Sequence, residues 1–220
     1  TEVPSDYLLG LYDVEAVSSN EAWAVGYGAP GGATILHWNG STWTESTYVH
    51  GAHLLGIEAL APNDVWAVGG TQSPGEGLAV HWDGTQWSTA PTVGPWSDSL
   101  VFADVAVISP TQVWAAGVLE TESMYDRAVT MRYSLRCPEP VTCQPGWNLI
   151  PSLAPDPGFN GLYGVDASAP DNVWAVGGTV DNGALVKRWD GTTWHLLPPA
   201  PVTSDTTLYD VKVFSPSEVW

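Results

Sequence analysis

A tryptophan returns in the same local setting five times: EAWAVG at 21–26, DVWAVG at 64–69, QVWAAG at 112–117, NVWAVG at 172–177 and EVW at 218–220. These tryptophans stand at 23, 66, 114, 174 and 220, giving spacings of 43, 48, 60 and 46 residues. Each copy follows an apolar lead-in of six residues: LYDVEA at 11–16, LLGIEA at 54–59, FADVAV at 102–107, LYGVDA at 162–167 and LYDVKV at 208–213. A third signature closes three of the copies, as HWNGSTW at 37–43, HWDGTQW at 81–87 and RWDGTTW at 188–194. No other feature restricts the fold so strongly. A unit of this size cannot bury its apolar faces alone and must stack on its neighbours.

Each repeat reads as four antiparallel strands. The lead-in is a short Val/Leu/Tyr-rich run closed by a turn such as APND or SPSE. VWAVG is the second strand, ATILHW, GLAVHW and ALVKRW the third, and segments such as TWHLLP the fourth. An Asx-Gly pair between the last two is a strong hairpin signal, because its positions favour φ > 0. No window has a 3.6-residue apolar period, so no helix is expected. The near-continuous apolar strands imply sheets buried on both faces. Four strands per repeat of this length predict an all-β fold, a β-propeller with one blade per repeat.

The repeat resembles the bacterial tryptophan-rich propeller repeats of the DVWAVG…HWDGTTW type, akin to kelch, Asp-box and tachylectin-like blades. The resemblance covers nearly the whole chain and implies the fold without implying an activity. Only Gly69-Gly70 and Gly177-Gly178 match the kelch pattern, and Trp194 follows Asp190 too closely for an Asp-box.

Under this reading blades lie near 10–47, 54–90, 101–152 and 162–198, within a single partial propeller over 1–220. Residues 1–5 align with 148–152 as the last strand of a preceding blade, and 208–220 begin a fifth. The chain therefore reads as part of a larger ring of ~6–8 blades.

HWDGTQW could pass for a ligand site built on His81 and Asp83. The other copies argue otherwise: the first place is His37, His81, Arg132 or Arg188, and the third is Asn39, Asp83, Ser134 or Asp190. Ligands do not interchange so freely, whereas a hairpin turn tolerates it. NGS at 39–41 matches a glycosylation acceptor, yet its equivalents are DGT, again a turn. Twelve of the thirteen tryptophans have repeat positions between stacked blades, and Trp96 has none.

A net charge of −18 with only six Lys plus Arg argues against nucleic acid and anionic membrane partners. No apolar run is long enough to span a bilayer. No calcium loop, zinc ligand set, nucleophile elbow or phosphate loop is present, and HGAH at 50–53 lacks carboxylate partners, so neither cofactor nor metal is expected. Cys137 and Cys143 lie in one inserted loop, RCPEPVTCQPGW. They are expected to form a disulfide worth roughly 2 kcal/mol, which fits a secreted or cell-surface location.

Comparing the blades with one another points to function. The first-to-second turns (SSNE, APND, SPTQ, APDN, SPSE) barely differ. The second-to-third connections (YGAPGGA, GTQSPGEG, VLETESMYDR, GTVDNG) and the links between blades all differ, and a propeller places both sets on one face. Candidate binding residues there are His50, His53, Trp96, Asp98, Glu120, Glu122, Tyr125, Asp126, Phe159, Asn160, Asp181 and Asn182. The favoured reading is a non-catalytic extracellular scaffold for adhesion, assembly or coat formation, holding a protein or polymer partner, a glycan or further copies of itself. A lectin is the alternative, although one site per blade would repeat its polar ligands. A propeller glycoside hydrolase comes third, lacking an evident carboxylate pair or arginine cluster.

Overall fold

The computed structural model describes residues 8–72, 75–92, 99–120, 126–134, 146–151, 160–179, 183–198 and 206–220. Four sheets of four antiparallel strands follow one another, then a two-stranded hairpin. The first sheet holds β1 (Leu8–Ser18), β2 (Glu21–Gly28), β3 (Gly32–Trp38) and β4 (Trp43–His50). The second holds β5 (Ala52–Ala61), β6 (Asp64–Thr71), β7 (Gly77–Trp82) and β8 (Trp87–Thr89). The third holds β9 (Ser99–Ser109), β10 (Gln112–Glu120), β11 (Arg127–Ser134) and β12 (Gly146–Leu149). The fourth holds β13 (Asn160–Ala169), β14 (Asn172–Thr179), β15 (Gly183–Trp189) and β16 (Trp194–Leu196). The hairpin is β17 (Val213–Ser215) with β18 (Glu218–Val219).

This is an all-β propeller built of stacked four-stranded blades. Its first strands, β1, β5, β9 and β13, contact one another in succession and form the inner edge of the ring. The described residues contain no helix, and among them no hydrogen bond joins the last hairpin to the first sheet, whose inner-strand residues Leu11 and Val14 stay exposed, so the ring is open. The segment 1–5 and the Cys137–Cys143 loop lie outside the described residues.

Local chemistry explains each signature. Asn39, Asp83 and Asp190 each open a four-residue loop between paired tryptophans or beside one. The Asx Oδ1 accepts the N–H groups two and three residues on, at 2.8–3.0 Å, and the following glycines Gly40, Gly84 and Gly191 take φ of 89°, 91° and 97°. The pair therefore works through the Asx side chain as well as through φ. The glycine that ends VWAVG is required by close approach. A Cβ on Gly26, Gly69, Gly117 or Gly177 would lie 1.9–2.1 Å from a carbonyl oxygen of the inner strand.

The His of HW lies over the tryptophan opposite it, stacked at His81 and tilted at His37. His37 lies 4.3 Å from Trp23 and His81 4.3 Å from Trp66, ring centre to ring centre. Arg132 covers Trp114 at 5.7 Å and Arg188 covers Trp174 at 5.8 Å. Imidazole and guanidinium interchange here because both are flat, and a cation over an indole face is attracted to it. His37 Nε2 donates to Glu21 and His81 Nε2 to Asp64, each at 2.8 Å, and Arg188 Nε donates to Asn172 at 3.1 Å. The motif is structural.

The core is a series of slabs between blades. Trp23 inserts between Trp82 and Trp87 of the next blade, with both ring centres 5.6 Å away. Trp66 meets Tyr133 and Trp147 at 4.7 and 5.8 Å, and Trp114 meets Trp189 and Trp194 at 5.1 and 5.4 Å. Three separate apolar clusters follow these joints, and a fourth begins around Val176, Val211 and Val213.

Carboxylates join the inner strands. Asp13 Oδ2 accepts Ile57 N–H at 2.8 Å and Asp104 Oδ2 accepts Val165 N–H at 2.8 Å. Glu58 accepts Val107 N–H, and Asp166 Oδ2 accepts Val213 N–H at 2.7 Å. Burial pushes Glu58 up to about 8, against the pull of its bond from Val107. Burial likewise pushes Asp104 up to about 7, against its bonds from Val165 and Val105.

Candidate functional site

β-Bulges fall at the same place in all four inner strands, at Tyr12, Leu55, Ala103 and Tyr163. A bulge re-aims its side chain out of the strand's alternation. Three of these residues, Leu55, Ala103 and Tyr163, wall a cleft of about 480 Å³ where the second, third and fourth blades meet. Val101 and Val118 complete the apolar side. Around it stand polar groups from different repeats: His53, Thr71 and Gln72 from the second blade, Ser99, Glu120 and Asp126 from the third, and the Tyr163 hydroxyl from the fourth.

The connections are fixed across blade boundaries. Gln72 N–H bonds to Gly51 O at 2.7 Å, Leu100 N–H to Gly75 O at 2.8 Å and Asn160 N–H to Asp126 O at 2.9 Å. These bonds place the second-to-third connections and the inter-blade links on one face. Gly75 takes φ of 83°, and a Cβ there would meet Ser99 Oγ at 2.6 Å, so the rim of the cleft sits tight on β9. The Thr71 hydroxyl accepts Glu76 N–H at 2.9 Å, leaving its own hydrogen free to donate.

Electrostatics in the cleft are mixed. Burial lowers His53, and the negative charge of Glu120 partly offsets it. Burial raises Tyr163, helped by Tyr209 and Asp126, and its ring lies 5.5 Å from that of Tyr209. The cleft thus offers an imidazole whose protonation burial opposes, two acidic side chains, an amide and three hydroxyls over an apolar floor. It can hydrogen-bond a polyhydroxylated ligand and pack against its C–H faces. Among the described residues no group of three or more His, Cys, Asp or Glu side chains could hold a metal, and no helix is long and apolar enough to cross a membrane.

Of the residues singled out from sequence, the structure gathers His53, Glu120 and Asp126 in this cleft. His50 is exposed at the end of β4, with its ring 4.8 Å from Tyr48, away from the cleft. Asn160 is buried at 3% exposure, paired with Thr179 where β13 begins. Trp96, Asp98, Glu122, Tyr125, Phe159, Asp181 and Asn182 lie outside the described residues. Sequence reasoning missed Thr71, Gln72, Ser99 and Tyr163. Tyr163 was hidden in the core-like LYGVDA run, and only its bulge turns it outward.

No family profile and no curated protein matches the chain. Solved structures do. The Aleuria aurantia lectin, in a variant bound to Fucα1-6GlcNAc, is 13% identical, with a TM-score of 0.62 over 94% of this chain and 69% of that one. A second structure of that lectin is described as a six-bladed β-propeller with a novel fucose recognition mode. AofleA from Arthrobotrys oligospora, again a variant, is 11% identical, with a TM-score of 0.59 over 96% of this chain and 63% of that one. At such identity the likeness is one of fold, and the propeller architecture is what it establishes.

Proposed function

We propose that this propeller is a non-catalytic carbohydrate-binding protein and that the cleft between the second, third and fourth blades takes a neutral saccharide. One observation carries the reading: polar groups from three different repeats converge over an apolar floor in a cleft of about 480 Å³, within the size range of ligand sites. The cleft is a single irregular site, which answers the objection that the loops do not repeat a ligand set in every blade. The glycan recognised by the Aleuria aurantia lectin makes fucosides the first probes, without making fucose the ligand. Isothermal titration of the chain with methyl α-L-fucoside and a panel of neutral oligosaccharides tests the proposal. Binding that weakens in Gln72→Ala and Tyr163→Phe supports it. A panel without a single binder, or binding indifferent to both substitutions, overturns it.

A second reading is a protein-binding scaffold at the cell exterior, using the wider loop face. What favours it is that every connection on that face differs from the others. A large irregular partner would use such variety, whereas a small sugar needs only one cleft. A partner whose contacts survive the cleft substitutions would select this reading.

A further inference from the structure

The third residue of the lead-in alternates along the chain: Asp13, Gly56, Asp104, Gly164, Asp210. The hydrogen bonds alternate with it. In an aspartate blade the carboxylate Oδ1 takes the N–H of the next residue in its own strand, at Val14, Val105 and Val211, at 2.7–2.8 Å. Its Oδ2 then reaches forward to the same place in the following glycine blade, Ile57 or Val165. Asp13 and Asp104 thus each hold two equivalent N–H groups, their own and their neighbour's. In a glycine blade the fifth residue of the lead-in, Glu58 or Asp166, reaches forward to the sixth place of the next aspartate blade, Val107 or Val213. The glycine is needed for that second kind of joint. A Cβ on Gly56 or Gly164 would stand 2.8 Å from the Cα of Asp104 or Asp210.

We infer that the two open ends of this arc are interaction surfaces for a glycine-type blade, and that the closed ring holds an even number of blades. Buried donors and acceptors are almost always paired, and the two kinds of joint satisfy them only in alternation. Seating blade one directly on the fifth hairpin breaks both accounts. Asp210 Oδ2, which has no hydrogen-bond partner among the described residues, would face Val14 N–H, already held by Asp13. Ala16 N–H would face Lys212, the fifth residue of its lead-in, which has no acceptor atom. A blade with glycine third and a carboxylate fifth satisfies both ends, taking the Asp210 oxygen and supplying Ala16. The first blade has the matching apolar half-joint. Leu11 and Val14 are 42% and 60% exposed, whereas Leu54, Ile57, Phe102 and Val105 at the same places are buried. Trp38 and Trp43 face each other at 5.8 Å, and no tryptophan among the described residues lies between them.

A structure of the complete ring by cryo-electron microscopy tests the inference. An even blade count, with a glycine-type inner strand on both Asp210 and Ala16, is expected. An odd count, or blade one seated on Asp210, overturns it. Sedimentation of the 220-residue chain gives a second reading: it is expected to stay free of head-to-tail association, and head-to-tail rings of this chain alone would overturn the rule. The steric basis is read by limited proteolysis. Gly164→Ala is expected to speed cleavage of the 208–220 hairpin by about tenfold or more, while Gly10→Ala, whose Cβ meets nothing within 4 Å, leaves it unchanged. Equal cleavage in both variants would remove the need for glycine and sink the alternation with it.

Discussion

At one face of the propeller, the strand-three to strand-four hairpins described in blades one, two and four are built alike: an Asx side chain accepts two N–H groups and a glycine takes φ near 90°. At the opposite face the connections all differ in sequence, and the described polar groups that converge there come from three repeats. Repetition marks what every blade needs in order to stack. Its absence marks what only one place on the ring does. The two regions should therefore answer substitution in opposite ways: joints and turns through stability, cleft residues through binding.

The largest effect is expected at a joint. Trp66 is 1% exposed and lies between Tyr133 and Trp147 of the next blade. Trp66→Ala should cost about 3–5 kcal/mol in urea unfolding, as for other large aromatic residues removed from a core. A loss below ~1 kcal/mol would mean that the tryptophan joints do not hold the blades together.

The inner-strand carboxylates give the next effect, and it depends on pH. Because burial raises Glu58 from 4.5 to about 8, the stability of its protonated form is complete below about 4.5 and is lost as pH rises through about 8. Asp104 acts in the same sense between 3.8 and about 7. The protonated carboxyl still offers a carbonyl oxygen to Val107, so the joint survives protonation. The urea midpoint should fall as pH is raised from about 5 to about 9, by the equivalent of a few kcal/mol. Glu58→Gln, which keeps an acceptor and cannot ionise, should remove the larger part of that slope. A slope that Glu58→Gln leaves untouched would place the charge on this residue in the folded chain as well.

A smaller cost is expected at the repeated turn. Asn39→Ala removes the acceptor for Ser41 N–H and Thr42 N–H, at 3.0 Å each. The groups are exposed and water can replace the side chain, so the loss should be about 1 kcal/mol in thermal or urea unfolding. A loss above ~3 kcal/mol would make the turn a larger determinant of stability than its solvent exposure permits.

The repeats made the fold legible because blade grammar is local: lead-in, VWAVG, HW and the Asx-Gly turn each recur within about 40 to 60 residues. The inter-blade place of the tryptophans followed from their number and spacing. The interchange of His37 with Arg132 was visible too, and its meaning, a flat polar group laid over an indole, needed the register that pairs each with its tryptophan. The joints were less legible. The alternation of Asp13 and Gly56 stands in plain view, yet the bonds that explain it span 44 to 61 residues of sequence. The cleft was half legible: variability pointed to His53, Glu120 and Asp126, but Tyr163 lay inside a repeated apolar run whose bulge the sequence does not announce.

The smallest change in stability is expected where the change in binding is most informative. Glu120 is exposed at the end of β10, on the cleft wall, where its backbone pairs with Ser99 and its side chain makes no strand pairing. Glu120→Gln keeps shape and volume, so unfolding should move by no more than ~0.5 kcal/mol. Two other readouts should move. The carboxylate is the stronger acceptor for ligand hydroxyls, so saccharide affinity should drop by about tenfold, the worth of one charge-assisted hydrogen bond. Its negative charge also supports protonation of His53 against burial, so in Glu120→Gln the imidazole should titrate lower still, followed by NMR of the ring protons. If the imidazole shifts and affinity does not, the cleft is formed as described and the saccharide binds elsewhere. If neither moves while stability falls, Glu120 belongs with the joints, and the division between a repeating, stabilising face and an irregular, binding face does not hold at the cleft.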